Sequence, residues 1–202
     1  MRLALLPLVL ATALPVAAQP PSTPPAPSSG TLVTPFGIDL GAPLPMRDAV
    51  LAPVDGAGQP LASYGRGSGL VVVLWSNRCP WSERYDDRVA EIARTYGDRF
   101  GVVLVSTGSV EDNRTRATER SYTTPYLSDA GGAFARALGA VRSPQAYVFG
   151  ADGTLAYVGA IDDSPSDPER VTNAYLRTAL DAIAAGQAPA MAKTEALGCL
   201  IR

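Results

Sequence analysis

Histidine is absent from the 202-residue chain, which removes the usual general base near neutrality and the commonest metal ligand. Cysteine occurs only twice, at the distant positions Cys79 and Cys199, so no zinc site of paired CxxC motifs can be assembled. Neither a metal nor a cofactor is expected. Lysine and arginine form no cluster and the net charge is −2, which argues against a nucleic-acid partner. No GxGxxG follows the first strand-like run, so a dinucleotide-binding reading fails. A membrane-spanning run is also missing. The apolar residues 3–14 are too few, and Pro7 and Pro15 interrupt them.

The first thirty residues read as an address. Arg2 precedes the apolar stretch, and Pro15-Val16-Ala17-Ala18 places small residues where a signal peptidase reads them. Residues 1–18 are therefore read as a secretory signal peptide, cleaved before Gln19. No cysteine follows the cut, so no lipid anchor is expected. Residues 19–30 (QPPSTPPAPSSG) read as an extended, disordered linker, and residues 31–202 as one domain. The mature protein is expected to be periplasmic or secreted, without a membrane span. Two thiols can pair in such an oxidising compartment.

The chemistry is expected in residues 70–82, LVVVLWSNRCPWS. A β-branched, continuously apolar run suits a strand buried on both faces. It stops at Ser76, Asn77 and Arg78; Cys79 follows, and Pro80 fits the first turn of a helix, where its missing amide costs nothing. A thiolate there faces unpaired amides and the positive end of the helix dipole, which lower the thiol pKa, and Arg78 adds positive charge. The helix is supported by Val89, Ile92, Ala93 and Tyr96, and Gly97 ends it.

Residues 99–106 predict a second buried strand, parallel to the first, and residues 49–54 a short one. Residues 111–121 read as a polar helix or loop, 125–127 as a short extended piece and 130–138 as a short helix. Residues 145–149 and 154–159 flank an Asp-Gly turn and predict a hairpin. A helix is predicted over 167–185, with an acidic start and Gly186 as its stop; the tail 187–202 has little periodicity. This order fits an α/β protein of thioredoxin-like fold, a central mixed sheet with helices on both faces.

Four pieces resemble redoxin-like proteins related to the alkyl hydroperoxide reductase/thiol-specific antioxidant family. They are Asn77-Arg78-Cys79-Pro80-Trp81, Arg142-Ser143-Pro144, Gly159-Ala160-Ile161-Asp162-Asp163 and the terminal Thr194-Glu195-Ala196-Leu197-Gly198-Cys199-Leu200-Ile201. The resemblance runs from about Leu70 to the C-terminus and implies that Pro144 is a cis-proline facing Cys79. From the residues alone, Ser143-Pro144 is only a turn signal. The second cysteine of a thioredoxin CxxC is replaced by Ser82, and the resemblance implies that Cys199 takes its role, the tail folding back over the site. Compared with peroxiredoxins, Ser76 matches the Thr or Ser three residues before the reactive cysteine, but Val72 stands where those proteins carry proline.

The leading reading is an exported thiol–disulfide oxidoreductase with Cys79 as nucleophile, Cys199 as resolving thiol and Pro144 shaping the edge where a protein or small-molecule disulfide partner pairs. Trp81, Ser82, Arg78 and Arg142 are candidate substrate contacts. The alternatives are a thiol peroxidase, with Arg78 or Arg142 as the cation, and a non-catalytic binding domain in which Cys79 and Cys199 form a permanent staple. Blander roles stay open beside these: Cys79 as a buried structural thiol, Cys199 as a free cysteine in a loose tail, Trp75 as core, Arg142 as a surface residue, and Asp162 and Asp163 as solvated turn residues.

Overall fold

The computed structural model describes residues 37–201, so the expected signal peptide and linker lie outside the described residues. At its centre are β2 (Gly69–Trp75) and β3 (Phe100–Ser106), whose residues are all buried. The pleat sends Val71, Val73 and Trp75 to one face of the sheet and Leu70, Val72 and Leu74 to the other. Each fully buried aliphatic side chain contributes roughly 1.5–3 kcal/mol over an exposed one. Both faces of β2 are covered, which is why its sequence is continuously apolar rather than alternating.

Between them runs α1 (Pro80–Tyr96), with Tyr85, Val89, Ile92 and Tyr96 in its buried stripe. After β3 come α2 (Val110–Glu119), β4 (Tyr126–Ser128) and α3 (Ala133–Ala137). The Ser109 hydroxyl caps α2 by accepting the Asp112 amide at 3.1 Å, which decides the helix-or-loop ambiguity of that polar segment. The predicted hairpin is β6 (Gln145–Gly150) and β7 (Leu155–Gly159). With β1 (Ala52–Pro53), shorter than the predicted strand, the sheet order is β1-β4-β3-β2-β6-β7. The pairs β2/β3 and β3/β4 are parallel and the remaining pairs antiparallel. One face is covered by α1 and α4 (Tyr175–Ala184), the other by Phe134, Ala135 and Leu138 of the α3 region. This is the mixed, two-sided sheet of a thioredoxin-like fold.

The start of the last helix is corrected. The last helix does not begin at residue 167; Pro168–Arg170 is an isolated 3-10 turn and α4 starts only at Tyr175. Asp163 accepts hydrogen bonds from the Thr172 amide at 3.0 Å and the Asn173 side-chain amide at 2.7 Å, and this bonding holds the intervening segment out of the helix. The aperiodic tail folds back onto the site, as the family resemblance implied. Thr194 is buried, its hydroxyl accepting the Ala160 amide at 3.0 Å, and beyond it β8 (Cys199–Leu200) pairs antiparallel with β5 (Arg142–Ser143). Periodicity could not reveal a strand of two residues.

Candidate active site

Cys79 occupies the N-cap position of α1 with extended backbone, and Pro80 is the first helical residue. The apolar strand β2 delivers the chain to the C-terminal end of the central strands, the Cys79 amide bonds the Ser76 carbonyl at 3.1 Å, and the helix begins. Cys79 is 2% exposed, and its sulfur sits against Ser143, the last residue of β5.

Cys199 is bonded to it. The two cysteines form a disulfide with Cα atoms 5.9 Å apart, an ordinary span for such a bridge, across 120 positions of sequence. The tail reaches Cys79 by pairing with β5, so that Ser143 stands opposite Cys199 and Arg142 opposite Leu200. The Ile201 amide donates to the Val141 carbonyl at 3.1 Å, and Arg142 Nη1 to the Gly198 carbonyl at 3.2 Å. The Ser143-Pro144 peptide bond is cis.

The surroundings of the sulfur are polar despite their burial. Cys79 Sγ lies 3.1 Å from the Ser143 carbonyl oxygen, and in this oxidised form its side chain makes no capping hydrogen bond to α1, unlike the amide-facing thiolate expected from the sequence. Ser82, which stands where a CxxC would place its second thiol, is fully buried. Its hydroxyl is 3.2 Å from that of Ser143 and accepts the Ser76 amide at 3.4 Å. The serine thus braces the loop ahead of Cys79 against the segment before Pro144.

The other candidates are distributed around this pair. Arg142 is half-buried and holds the tail, so it is not the surface residue first considered. Trp81 is half-buried with Arg84 lying 5.6 Å from its ring centre, whereas Trp75 is core, packed edge-on against Tyr122. Arg78 is exposed and lines a groove of about 560 Å³ at the ends of β2 and β3, shared with Ser76, Asn77, Ser106, Asp112 and Arg116. Behind that groove Asn77 is fixed by the Tyr126 hydroxyl, which donates to its oxygen at 2.6 Å, and by Asn113, whose oxygen accepts from its amide at 2.9 Å. Burial pushes the Tyr126 hydroxyl up to about 12, so it remains a neutral donor.

Asp162 was expected to be solvated and is instead 6% exposed. It accepts from Arg88 Nη1 at 2.6 Å, from the Tyr85 hydroxyl at 2.9 Å and from the Ser164 amide at 3.0 Å. Arg88 and Tyr85 both project from α1, so the pair ties the active-site helix to the loop after β7. Asp163 is exposed, as expected. Gly198 and the Ser143 carbonyl are the parts of the site that the sequence did not single out by role. The only advance signal was a glycine directly before a cysteine, which marks a close approach of two backbones.

A thioredoxin-like sheet with a disulfide spanning the start of its first long helix and the cis-proline edge defines a redox-active or redox-stapled thioredoxin-fold protein. The AhpC/TSA family model matches residues 43–158, more than half of the chain, and the chain belongs to that family. The match starts well before Leu70, and it ends before the tail that carries Cys199. No curated protein matches the chain. Among solved structures it is similar to a hypothetical protein from Sinorhizobium meliloti 1021, with 29% identity, a TM-score of 0.71, and 81% of this chain and 94% of that one covered. It is similar also to an uncharacterised conserved protein from Geobacillus kaustophilus, at 28% identity, a TM-score of 0.70 and coverage of 83% and 92%. The peroxidoxin BcpB from Mycobacterium tuberculosis, at 21% identity, a TM-score of 0.55 and coverage of 74% and 96%, shares the fold.

Proposed function

We propose that the protein is an exported thiol–disulfide oxidoreductase. The observation that carries this reading is the Cys79–Cys199 disulfide at the N-cap of α1, facing the edge at Ser143-Pro144. In the reduced protein the helix dipole favours a Cys79 thiolate. That thiolate attacks one sulfur of a partner disulfide and expels the other as a thiolate. Cys199 then attacks Cys79 in the mixed disulfide and releases the partner's second thiol, so the two electrons of the dithiol pass to the partner. A local dithiol is impossible with serine at position 82, so Cys199 does the resolving from the tail. Export is supported by the signal-like residues 1–18 and by the presence of a cysteine pair able to persist outside a reducing cytosol.

The test is reduction of insulin disulfides by the reduced protein, beside a count of free thiols before and after mild reductant. Cys79→Ser is expected to abolish reduction; unchanged activity in that variant overturns the assignment. The alkylation rate of Cys79 against pH reports its acidity, and the N-terminal residue of the protein recovered from the culture medium or periplasm tests the export reading.

Membership of the AhpC/TSA family favours a second reading, a thiol peroxidase in which peroxide oxidises Cys79 to the sulfenic acid, with water or alcohol leaving, and Cys199 condenses with it to the disulfide. The Xanthomonas campestris bacterioferritin comigratory protein, which has alkyl peroxide reduction activity, is similar in fold at 18% identity, a TM-score of 0.52 and coverage of 59% and 86%. Stopped-flow oxidation of the reduced protein separates the two. A rate no faster than that of free cysteine removes the peroxidase reading.

A further inference from the structure

The tail segment around Cys199 is an extended cysteine-containing strand seated on the site, and its contacts differ sharply from one position to the next. At the residue before the cysteine there is no room for a side chain. A Cβ built on Gly198 would stand 2.7 Å from the Ser143 carbonyl carbon, closer still to its oxygen, and 3.2 Å from the Pro144 nitrogen. The obstruction is backbone, which cannot swing aside as a flexible side chain would. The residue after the cysteine, Leu200, is 64% exposed, so most of its side chain faces solvent. The next residue, Ile201, packs against the apolar cluster that contains Leu74 and Tyr147, and its amide completes the ladder to Val141.

We infer that this tail is a built-in template of the substrate: partner proteins present the cysteine to be exchanged in an extended segment with glycine immediately before it and an aliphatic residue two positions after it. The inference rests on the proposed thiol–disulfide exchange and names its substrate class. Backbone pairing with Arg142 and Ser143 supplies register without sequence preference, as it does wherever a strand is added to an edge. The excluded Cβ and the apolar seat supply the selectivity. A partner strand and the tail occupy the same edge, so the partner enters when the disulfide is reduced and the tail withdraws. Cys79 then attacks the partner's cysteine sulfur and the sulfur originally bonded to it leaves as thiolate. Return of the tail expels the partner strand as Cys199 closes the disulfide again.

The test uses the full chain carrying Cys199→Ser, in which attack by Cys79 stops at the mixed disulfide. It is offered peptides of sequence Leu-Gly-Cys-Leu-Ile whose cysteine is joined to thionitrobenzoate, and the released chromophore gives the rate while mass spectrometry identifies the adduct. Replacing the peptide glycine by valine is expected to slow adduct formation at least about tenfold, the scale of a modest overpacking penalty. Replacing the terminal isoleucine by lysine is expected to slow it as well, while replacing the leucine after the cysteine by lysine leaves the rate within a factor of about two. Equal rates for all four peptides overturn the template. Absence of an adduct on Cys79 with every peptide overturns the oxidoreductase reading itself, so the two failures are distinguishable.

Discussion

The hydroxyls of Ser82 and Ser143 lie 3.2 Å apart directly behind the disulfide, one on the first turn of α1 and the other on the strand that pairs with the tail. The position where a CxxC would carry its second thiol is therefore filled by a group that fastens the helix start to the cis-proline segment, and the second sulfur of the pair comes from the tail.

That relationship makes Ser82→Cys informative. The position is fully buried and the change nearly conserves volume but weakens the two hydrogen bonds of the hydroxyl, so a cost in stability of about 1–3 kcal/mol is expected. Cys199→Ser alone is expected to stall after one mixed disulfide per molecule. Adding Ser82→Cys to it is expected to restore repeated turnover of insulin, because a thiol three residues on within a helix is in reach of Cys79. Turnover that stays stalled in a folded double variant, with its fold checked by circular dichroism, counts against α1 as the reacting element.

The covalent loop spans 120 positions, and on the chain-entropy model its closure stabilises the fold by roughly 4–5 kcal/mol at most. Urea unfolding is expected to shift to a lower midpoint in dithiothreitol, and Cys199→Ser is expected to show the same shift with no reductant present. An unchanged midpoint in both would mean that the unfolded chain gains nothing from opening the loop.

Gly198→Ala tests the close approach inside the chain itself. The added methyl meets the Ser143 carbonyl, so the tail docks less well and the disulfide is expected to open at about tenfold lower dithiothreitol than in the native protein. Titration of the thiol–disulfide equilibrium against dithiothreitol reads this directly. Leu200→Ala, at an exposed position of the same strand, is the control and is expected to leave the equilibrium in place.

Asp162→Ala removes the acceptor shared by Arg88, Tyr85 and the Ser164 amide. Breaking a pair whose side chains are only 13% and 5% exposed leaves a largely buried guanidinium without its counter-charge, held only by the Ser164, Pro165 and Arg84 carbonyls, and a loss of about 3 kcal/mol is expected from urea melts. A loss below about 1 kcal/mol, the scale of an exposed pair, would show that the loop after β7 does not hold α1.

The neighbouring carboxylate predicts a pH effect of definite sign. Hydrogen bonds from the Thr172 hydroxyl and the Asn173 backbone amide, followed by those of the Asn173 side chain and the Thr172 amide, hold Asp163 well below its ordinary value of 3.8. A depressed folded pKa means that the unfolded chain binds the proton first, so the stability Asp163 contributes is complete above 3.8 and is lost as the pH falls below it. Thermal melts of Asp163→Asn and the native protein are expected to differ at neutral pH and to converge on strong acidification; a constant difference would show that the carboxylate's charge is irrelevant.

Residues 70–82 were legible in advance because everything that shapes them is local. Consecutive β-branched residues demand a strand covered on both faces, and a proline after Cys79 demands that a helix begin there. The hairpin around Asp152-Gly153 was legible for the same reason, since turn chemistry and alternation lie within a few residues of each other. The fate of Asp162 was not, because nothing beside it in the chain announces that Arg88, 74 positions earlier, will come within 2.6 Å. The late start of α4 was missed because the competing hydrogen bonds to Thr172 and Asn173 come from Asp163, outside the helical pattern.

The local pattern of apolar and turn residues thus dictated a buried strand, a cysteine at a helix start and a two-sided sheet, because each follows from the conformational preference of a short run and the need to bury it. How the tail reaches Cys79, why the residue before Cys199 has no side chain, and which acidic residue is sequestered were decided only when distant segments packed together. Those outcomes depend on excluded volume and on pairing between backbones far apart in the chain, and neither is encoded at any single position.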